Sequence, residues 1–258
     1  VVTGARFIDG QFTAYPNPVD MEVDYIRYER TFPKAWNAFY VPFEVPVSQL
    51  AEQGFEVAYI NGVRRDDKDF DGELDKFAME VIYIHGGENC DGSNKILKAN
   101  YPYFIRTKGS ERKDLRIVLE GAILYAATNA TFDCTTFTEK FEITGNASQV
   151  SINSTDDALV YGVGGGEWTK ITIAQDLKPF RFYMTVTNRD DSTPVADAPA
   201  AMSIAVRGEE REDGSTFIYD VEMDNEQTVD YIYDLQGRRV LEPQKGGLYI
   251  VNGKKVLF

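Results

Sequence analysis

The sequence predicts an all-β protein: a main β-sandwich of jelly-roll or immunoglobulin-like type, followed by a small C-terminal β-hairpin or β-sandwich domain. Three observations predict this class. Short runs of β-branched and aromatic residues alternate with polar residues, and clusters of Gly, Asn, Asp and Pro separate these runs. The chain is also rich in aromatic residues, with 15 Tyr and 16 Phe among its 258 residues, and such side chains favour half-buried pleated surfaces.

The strand pattern appears in six segments of the chain. They are residues 21–32, 55–62, 116–128, 140–146, 170–175 and 180–188. In the last segment, alternation predicts a buried face made of Phe180, Phe182, Met184 and Val186. The opposite, solvent-facing side is predicted to carry Arg181, Tyr183, Thr185 and Thr187. One helix is predicted, over residues 46–54, and Gly54 is expected to end it.

Composition divides the chain into three parts. Residues 1–189 are predicted to form one β-sandwich domain or two sub-sandwiches. Residues 190–201 are rich in Pro, Ala, Asp and Ser, which is typical of a linker. Residues 202–258 are predicted to form the small C-terminal β domain, in which Asn252-Gly253 favours a tight hairpin turn.

The charge balance excludes some classes of partner. Asp and Glu total 41 against 27 Lys and Arg, so the formal net charge is -14. Such a field repels phosphate backbones, and we therefore expect no nucleic-acid partner. The sequence has no run of 18 apolar residues, so no transmembrane segment is predicted.

One acidic segment has the spacing of a calcium loop. In residues 67–75, DKDFDGELD, aspartates occupy alternate positions and Gly72 allows a turn. The predicted ligands are Asp67, Asp69, Asp71 and Asp75. Ala78 stands where such loops place a bidentate glutamate. The alternative is a polar hairpin loop whose charges are solvated. Calcium is the one cofactor that the sequence brings into consideration.

The remaining candidates for chemistry point away from catalysis. Residues 161–168, YGVGGGEW, predict a hairpin turn and not a phosphate-binding loop, because a strand pattern and no helix follows. Trp168 is a candidate to stack on a sugar if it is exposed, and a core residue otherwise. His85 is the only histidine, which excludes His-rich zinc sites, and no nucleophile is marked beside it. We predict no catalytic residues.

The C-terminal stretch resembles a known kind of tail. YDLQGRRV, residues 233–240, followed by GGLYIVNGKKV, residues 246–256, resembles the C-terminal tail of many cell-surface and secreted Bacteroidetes proteins, including those with a C-terminal sorting domain. Three upstream segments resemble a β-rich domain of uncharacterised Bacteroides-type surface proteins. They are WNAFYVPFEV (36–45), ANYPYFIR (99–106) and LKPFRFYM (177–184).

The resemblance implies export, a β-sandwich and an unidentified ligand. The expected location is the cell surface, associated with the outer membrane, or the extracellular space. Because an exported protein can keep disulfides, we also expect a Cys90–Cys134 bridge, the alternative being two separate buried cysteines.

Three functions follow as hypotheses. The first is a non-enzymatic adhesion or ligand-binding module, with glycans or host or cell-surface proteins as partners. The second is a structural component of a surface complex, in which sheet edges pair with a partner. The third, an accessory carbohydrate-active enzyme, needs two facing carboxylates in a cleft. An unpaired long edge or an exposed apolar patch would favour assembly, whereas a concave aromatic groove would favour ligand capture.

Overall fold

The computed structural model of the chain describes most of its first 206 residues and parts of its C-terminal segment. The described ranges are 3–15, 17–66, 76–84, 96–109, 111–135, 139–190, 192–195 and 199–206, with the strands at 232–233, 239–240, 248–251 and 254–257. Strands dominate this part of the chain, and the one helix in it has six residues. The predicted all-β, sandwich-like class is confirmed.

The strands of the main unit follow the chain in this order: β1 (Gly4–Ile8), β2 (Met21–Phe32), β3 (Asn37–Phe39), β4 (Val45–Pro46), β5 (Phe55–Asp66), β6 (Lys76–Ile84), β7 (Ile96–Leu97), β8 (Tyr103–Thr107), β9 (Lys113–Leu124), β10 (Thr131–Asp133), β11 (Glu139–Asn146), β12 (Val150–Ile152), β13 (Leu159–Gly164), β14 (Glu167–Lys170), β15 (Gln175–Leu177), β16 (Arg181–Asn188) and β17 (Ala201–Val206). Helix α1 (Val47–Glu52) lies between β4 and β5 and is followed by Gly54 at φ 76°. The predicted helix and the predicted strand at 21–32 are both confirmed.

A ten-stranded sheet forms the centre of the main unit. Its strand order is β10-β11-β16-β13-β14-β17-β6-β5-β8-β3, and all neighbours are antiparallel except β17 and β6. Strand β3, at one end of this order, contacts β16 and β13 near the other end, so the sheet curls. A second sheet has the order β1-β2-β9, and two short ribbons pair β4 with β7 and β12 with β15.

Strands β3, β5 and β8 are buried on both faces and separate two cores. On one side lies the sandwich core, where these strands pack against β2, β9 and α1; its fully buried members include Ile26, Phe32 and Leu50. On the other side lies the curl core, inside the curled sheet, with Phe104 and Trp168 among its members. Burying each such side chain stabilises the fold by roughly 1.5–3 kcal/mol. Because each face of β3, β5 and β8 lies against one of the two cores, these strands carry apolar residues on both faces.

Strand β16 follows the predicted alternation except at Phe180 and at Thr187, which was predicted to face solvent but is buried. Phe182, Met184 and Val186 are buried in the curl core as expected. Phe180 is also buried, but it precedes the strand with φ 60° and packs in the sandwich core. The opposite face is only half open, because Tyr183 packs against a small apolar cluster that includes Ile171.

The prediction of one continuous strand over residues 170–175 is wrong for the residues between Lys170 and Gln175. Strand β14 ends at Lys170 and β15 begins at Gln175. Ile171 is buried and donates its backbone N–H to Val160 O at 2.8 Å, whereas Ile173 is 80% exposed. In a strand these two side chains would share one face. Their different burial shows that the chain leaves the sheet here.

The predicted linker belongs to the main unit. Strand β17 lies between β14 and β6 in the large sheet, and Met202 and Val206 are buried in the curl core. Val195, inside the predicted linker, is buried there too, and the Tyr161 hydroxyl donates to Pro199 O at 2.7 Å. The chain divides into compact units at Val1–Phe217 and Ile218–Phe258, later than composition indicated.

The C-terminal unit contains a small antiparallel sheet. Its strands are β18 (Ile232–Tyr233), β19 (Arg239–Val240), β20 (Leu248–Val251) and β21 (Lys254–Leu257), in the order β19-β18-β20-β21. Val251 pairs with Lys254 on either side of Asn252-Gly253, which is the pairing that the predicted hairpin requires.

Candidate functional site: the open edge of strand β9

The predicted calcium ligands lie outside the described residues. Asp67, Asp69, Asp71 and Asp75 connect β5 to β6, whose last paired residues are Asp66 and Lys76. Calcium binding at this connection stays a prediction. Within the part of the chain that the structure describes, no three His, Cys, Asp or Glu side chains come together as a metal site.

Cys134 is a partly buried cysteine that forms no disulfide with another described residue. Its Sγ lies 3.7 Å from Phe141 O, to which the thiol donates. Burial, together with the charge of Asp133, raises the pKa of the Cys134 thiol to about 12. The protonated thiol is a weak nucleophile at neutral pH. Cys90 lies outside the described residues, so the Cys90–Cys134 disulfide stays a prediction.

Trp168 is a core residue and not a sugar platform. None of its side chain is exposed, and its indole N–H points at Met79 Sδ, 3.1 Å away. Its ring packs edge-on against Phe104, with the centroids 5.9 Å apart. The preceding turn is the predicted hairpin, in which Gly165 and Gly166 have φ 65° and 90°, conformations that favour glycine. Strand β14 lies inside the large sheet, and the Trp168 indole lies on the face that forms the curl core.

Side chains fill the concave side of the large sheet. Phe141, Tyr161, Trp168 and Phe182 are fully buried there, together with the aliphatic members of the curl core. This face therefore serves packing. The open surface that distinguishes the molecule lies elsewhere, along β9.

Strand β9 is an edge strand that helix α1 covers in part. Among the described strands it pairs with β2 alone, on one side. On its other side, Gln53 Nε2 donates to Arg116 O at 2.7 Å and Gln53 Oε1 accepts from Arg116 N at 2.9 Å. Gln49 Nε2 donates to Val118 O at 2.9 Å. The two carboxamides thus replace a neighbouring strand over residues 116 to 118.

Beyond Val118 the outer edge of β9 has no strand partner among the described residues. Backbone groups of alternate residues point to the same side of a strand, so the N–H and C=O of Glu120 face outward, as those of Arg116 do. Gly121 follows with φ 57°, a left-handed conformation that lets the strand bend after this position. An open stretch of backbone donors and acceptors on β9 therefore begins after Val118, the last residue to which α1 donates a hydrogen bond.

A groove of about 400 Å³ runs beside this open edge. Its walls are β9, α1 and the β4–β7 ribbon, and they carry three unusually exposed apolar side chains: Ile96 at 49%, Val118 at 50% and Ile123 at 43% exposure. Gln49 also lines it, and its Oε1 is buried without a hydrogen-bond donor among the described residues. The groove combines apolar contact area with unsatisfied acceptors.

The groove is acidic. Glu44 and Glu120 line it, and no cation does so among its described lining residues. Partial burial, followed by the charges of Glu44 and Asp20, raises the pKa of the Tyr125 hydroxyl at its end. No family model, curated protein or solved structure matches the chain. No helix of the described part has the length and apolar character needed to cross a membrane.

The groove was not predicted from the sequence, although one signal for it exists. Residues 117–119 and 122–124 are apolar at both odd and even positions, whereas a half-buried strand alternates. Such a run predicts a strand with apolar residues on both faces, and here the second face is open.

Proposed function

We propose that this chain is an exported, non-enzymatic surface protein that takes part in protein assembly, binding an extended segment of a partner along the edge of β9. The observation that carries this proposal is the open edge from Val118 onward, set beside an apolar groove. Strand addition to an exposed edge obtains its affinity from main-chain hydrogen bonds and its specificity from side-chain pockets. The resemblance of the C-terminal tail supports export.

The exposed apolar residues distinguish this edge from a protected one. Proteins commonly protect edge strands with lysines, prolines or a covering element. Here α1 covers Arg116 and part of Val118, and the strand then presents Val118 and Ile123 to solvent. This pattern is expected of an edge that receives another strand.

The chemistry of the groove defines the partner segment. Its apolar walls accept side chains from alternate positions of an extended peptide. Glu44 and Glu120 favour a segment that also carries Lys or Arg. The free acceptor of Gln49 accepts a backbone or side-chain N–H. The alternative of ligand capture on a concave aromatic face has less support, because core side chains occupy that face.

Peptide selection followed by backbone methylation tests the proposal. Random nine-residue peptides are selected on the immobilised protein, and the affinity of each hit is measured by calorimetry. We expect apolar peptides with Lys or Arg at intervening positions. N-methylation at every second residue should abolish binding in one register and leave it nearly unchanged in the other, because only alternate amides face β9.

Two surface variants localise the interaction. Val118→Glu should weaken peptide binding at least tenfold, since it places a charge on the apolar wall. Ile173→Glu is the matched control, because Ile173 is 80% exposed and does not line the groove. Equal affinities of the two variants, or hits that tolerate N-methylation in both registers, would refute strand addition at β9.

A further inference from the structure

Arg30 is a buried cation among the residues that line a second pocket. It lies on β2 with 8% exposure, its Nη1 donates to Ala38 O at 2.8 Å, and its guanidinium lies over the Phe32 ring, 4.2 Å from the centroid. Burial, followed by the charge of Arg181, lowers the pKa of Arg30 to about 10, although Tyr28 and Asp9 act in the opposite direction. A buried charge is costly unless it is paired.

The charges around Arg30 do not balance within the described residues. Asp9 is the carboxylate that influences it most, and Asp9 Oδ1 is already bound by Arg181 Nη2 at 2.7 Å. Arg30 itself forms no salt bridge with a described carboxylate. Asp9 is therefore engaged by Arg181, and the buried Arg30 has no carboxylate of its own among the described residues.

The pocket that Arg30 lines contains further cations. Its volume is about 360 Å³. The cations that line it are Arg30, Arg112, Arg116 and Lys178, and the carboxylates are Asp9, Glu29 and Asp114. Asp114 accepts a hydrogen bond from Thr31 Oγ1 at 2.6 Å, so part of its capacity is used. The four cations exceed the three carboxylates by one formal positive charge, in a chain whose net charge is -14.

We infer that this pocket binds an oxyanion, with Arg30, Arg112, Arg116 and Lys178 as the cations in its lining. The planar guanidinium presents a fork of donors that matches carboxylate, sulfate and phosphate oxygens, and one Nη of Arg30 is engaged by a backbone carbonyl. Low exposure strengthens the attraction, because less water competes for the charge. The pocket includes Arg116 of β9, but it lies outside the open stretch beyond Val118 and does not depend on the proposed assembly.

Calorimetric titration with small anions tests the inference. The complete chain is titrated with sodium phosphate, sodium sulfate and sodium glucuronate, with sodium chloride at matched ionic strength as the reference. We expect saturable binding of at least one anion, accompanied by a higher unfolding midpoint, because a ligand that binds only the folded state stabilises it. Binding of glucuronate alone assigns a carboxylate ligand, whereas binding of phosphate or sulfate assigns a tetrahedral one.

Variants separate a built site from general charge attraction. Arg30→Gln should abolish saturable binding. Because that change affects a buried residue, the exposed pair Arg112→Gln and Lys178→Gln provides a second test, with an expected loss of at least tenfold in affinity when combined. Lys34→Gln, an exposed cation that does not line the pocket, is the control and should bind like the original chain. Absence of saturable binding with all three anions, or equal losses in the control and the exposed pair, would overturn the inference.

Discussion

Single residues connect parts of the chain that are far apart in sequence, and Phe180 is the clearest case. Its ring lies 5.1 Å from the rings of Phe7 and Phe12 and 5.7 Å from that of Tyr15. It reaches them with φ 60°, a left-handed backbone conformation that costs an L-residue about 1–2 kcal/mol. Aromatic packing in the sandwich core therefore maintains a strained backbone at this position.

Substitutions at Phe180 should separate packing from strain. Phe180→Ala should lower the free energy of unfolding by about 3–5 kcal/mol, because it removes a fully buried ring. Phe180→Gly removes the same ring but relieves the backbone, so it should be about 1 kcal/mol more stable than the alanine variant. Urea unfolding measures both. A glycine variant less stable than the alanine variant would show that φ 60° is not strained here.

The Tyr161 hydroxyl makes stability depend on alkaline pH. Burial raises the pKa of Tyr161 from 10.0 to about 12. Between these values the unfolded chain releases the proton while the folded chain keeps it, so the unfolded state is favoured and stability falls as pH rises through this range.

Tyr161→Phe should remove that part of the pH dependence. At neutral pH the variant should lose about 1 kcal/mol, because the hydrogen bond to Pro199 O is gone. Its free energy of unfolding should then decrease less between pH 9 and pH 11 than that of the original chain. Urea midpoints across this range measure the difference, in which all other titrating groups cancel. Parallel curves would contradict the raised pKa.

At the scale of elements, helix α1 substitutes for a strand. It is short for an independent helix, and no side chain caps its start. Burial of Val47 and Leu50 in the sandwich core anchors it. The helix then places the Gln53 carboxamide where it binds both the N–H and the C=O of Arg116. Its position decides how much of the β9 edge remains open.

Removal of this cover should lengthen the open edge. Gln53→Ala breaks both bonds to Arg116, and we expect a loss of about 0.5–1.5 kcal/mol in the free energy of unfolding, because water replaces them in part. The longer edge should also promote self-association, which sedimentation velocity at rising concentration detects. Glu52→Ala, on the exposed side of the same helix, is the control. If the two variants are equally stable and equally monomeric, Gln53 does not protect the edge.

At the scale of the whole molecule, one late strand completes a sheet that begins early in the chain. Strand β17 pairs with β14 on one side and, in parallel, with β6 on the other. It thereby joins a hairpin from the second half of the main unit to one from the first half. The compact main unit accordingly extends to Phe217.

Truncations should reveal the true boundary. A chain that ends at Phe217 should retain the cooperative unfolding of the main unit. A chain that ends at Arg189, as the composition would favour, should lose cooperative unfolding and aggregate, because it lacks β17 and leaves one edge each of β6 and β14 unpaired. Circular dichroism during urea titration distinguishes them. Equal cooperativity in both chains would show that β17 is dispensable.

The predictions succeeded and failed for identifiable reasons. Strand β2 was predicted at its observed bounds because its residues alternate through a long, uninterrupted segment. The linker prediction was based on composition, which carries no information about contacts with distant residues. In the structure Val195 is buried and Lys170 N donates to Ala200 O. Within 170–175, Ile171 and Ile173 have the same character in sequence, and only their surroundings give them different burial.

The sequence by itself determined the strand class, the turns and the short helix, because alternation, left-handed glycines and helix ends are local properties of neighbouring residues. Tertiary structure alone decided that Trp168 is buried, that β9 has an open edge among the described residues and that the buried Arg30 lines a pocket with other cations. Each of these depends on which distant segments meet: β14 against Met79, α1 against β9, and Arg181 against Asp9. Such meetings arise from the packing of the whole chain, and no local pattern encodes them.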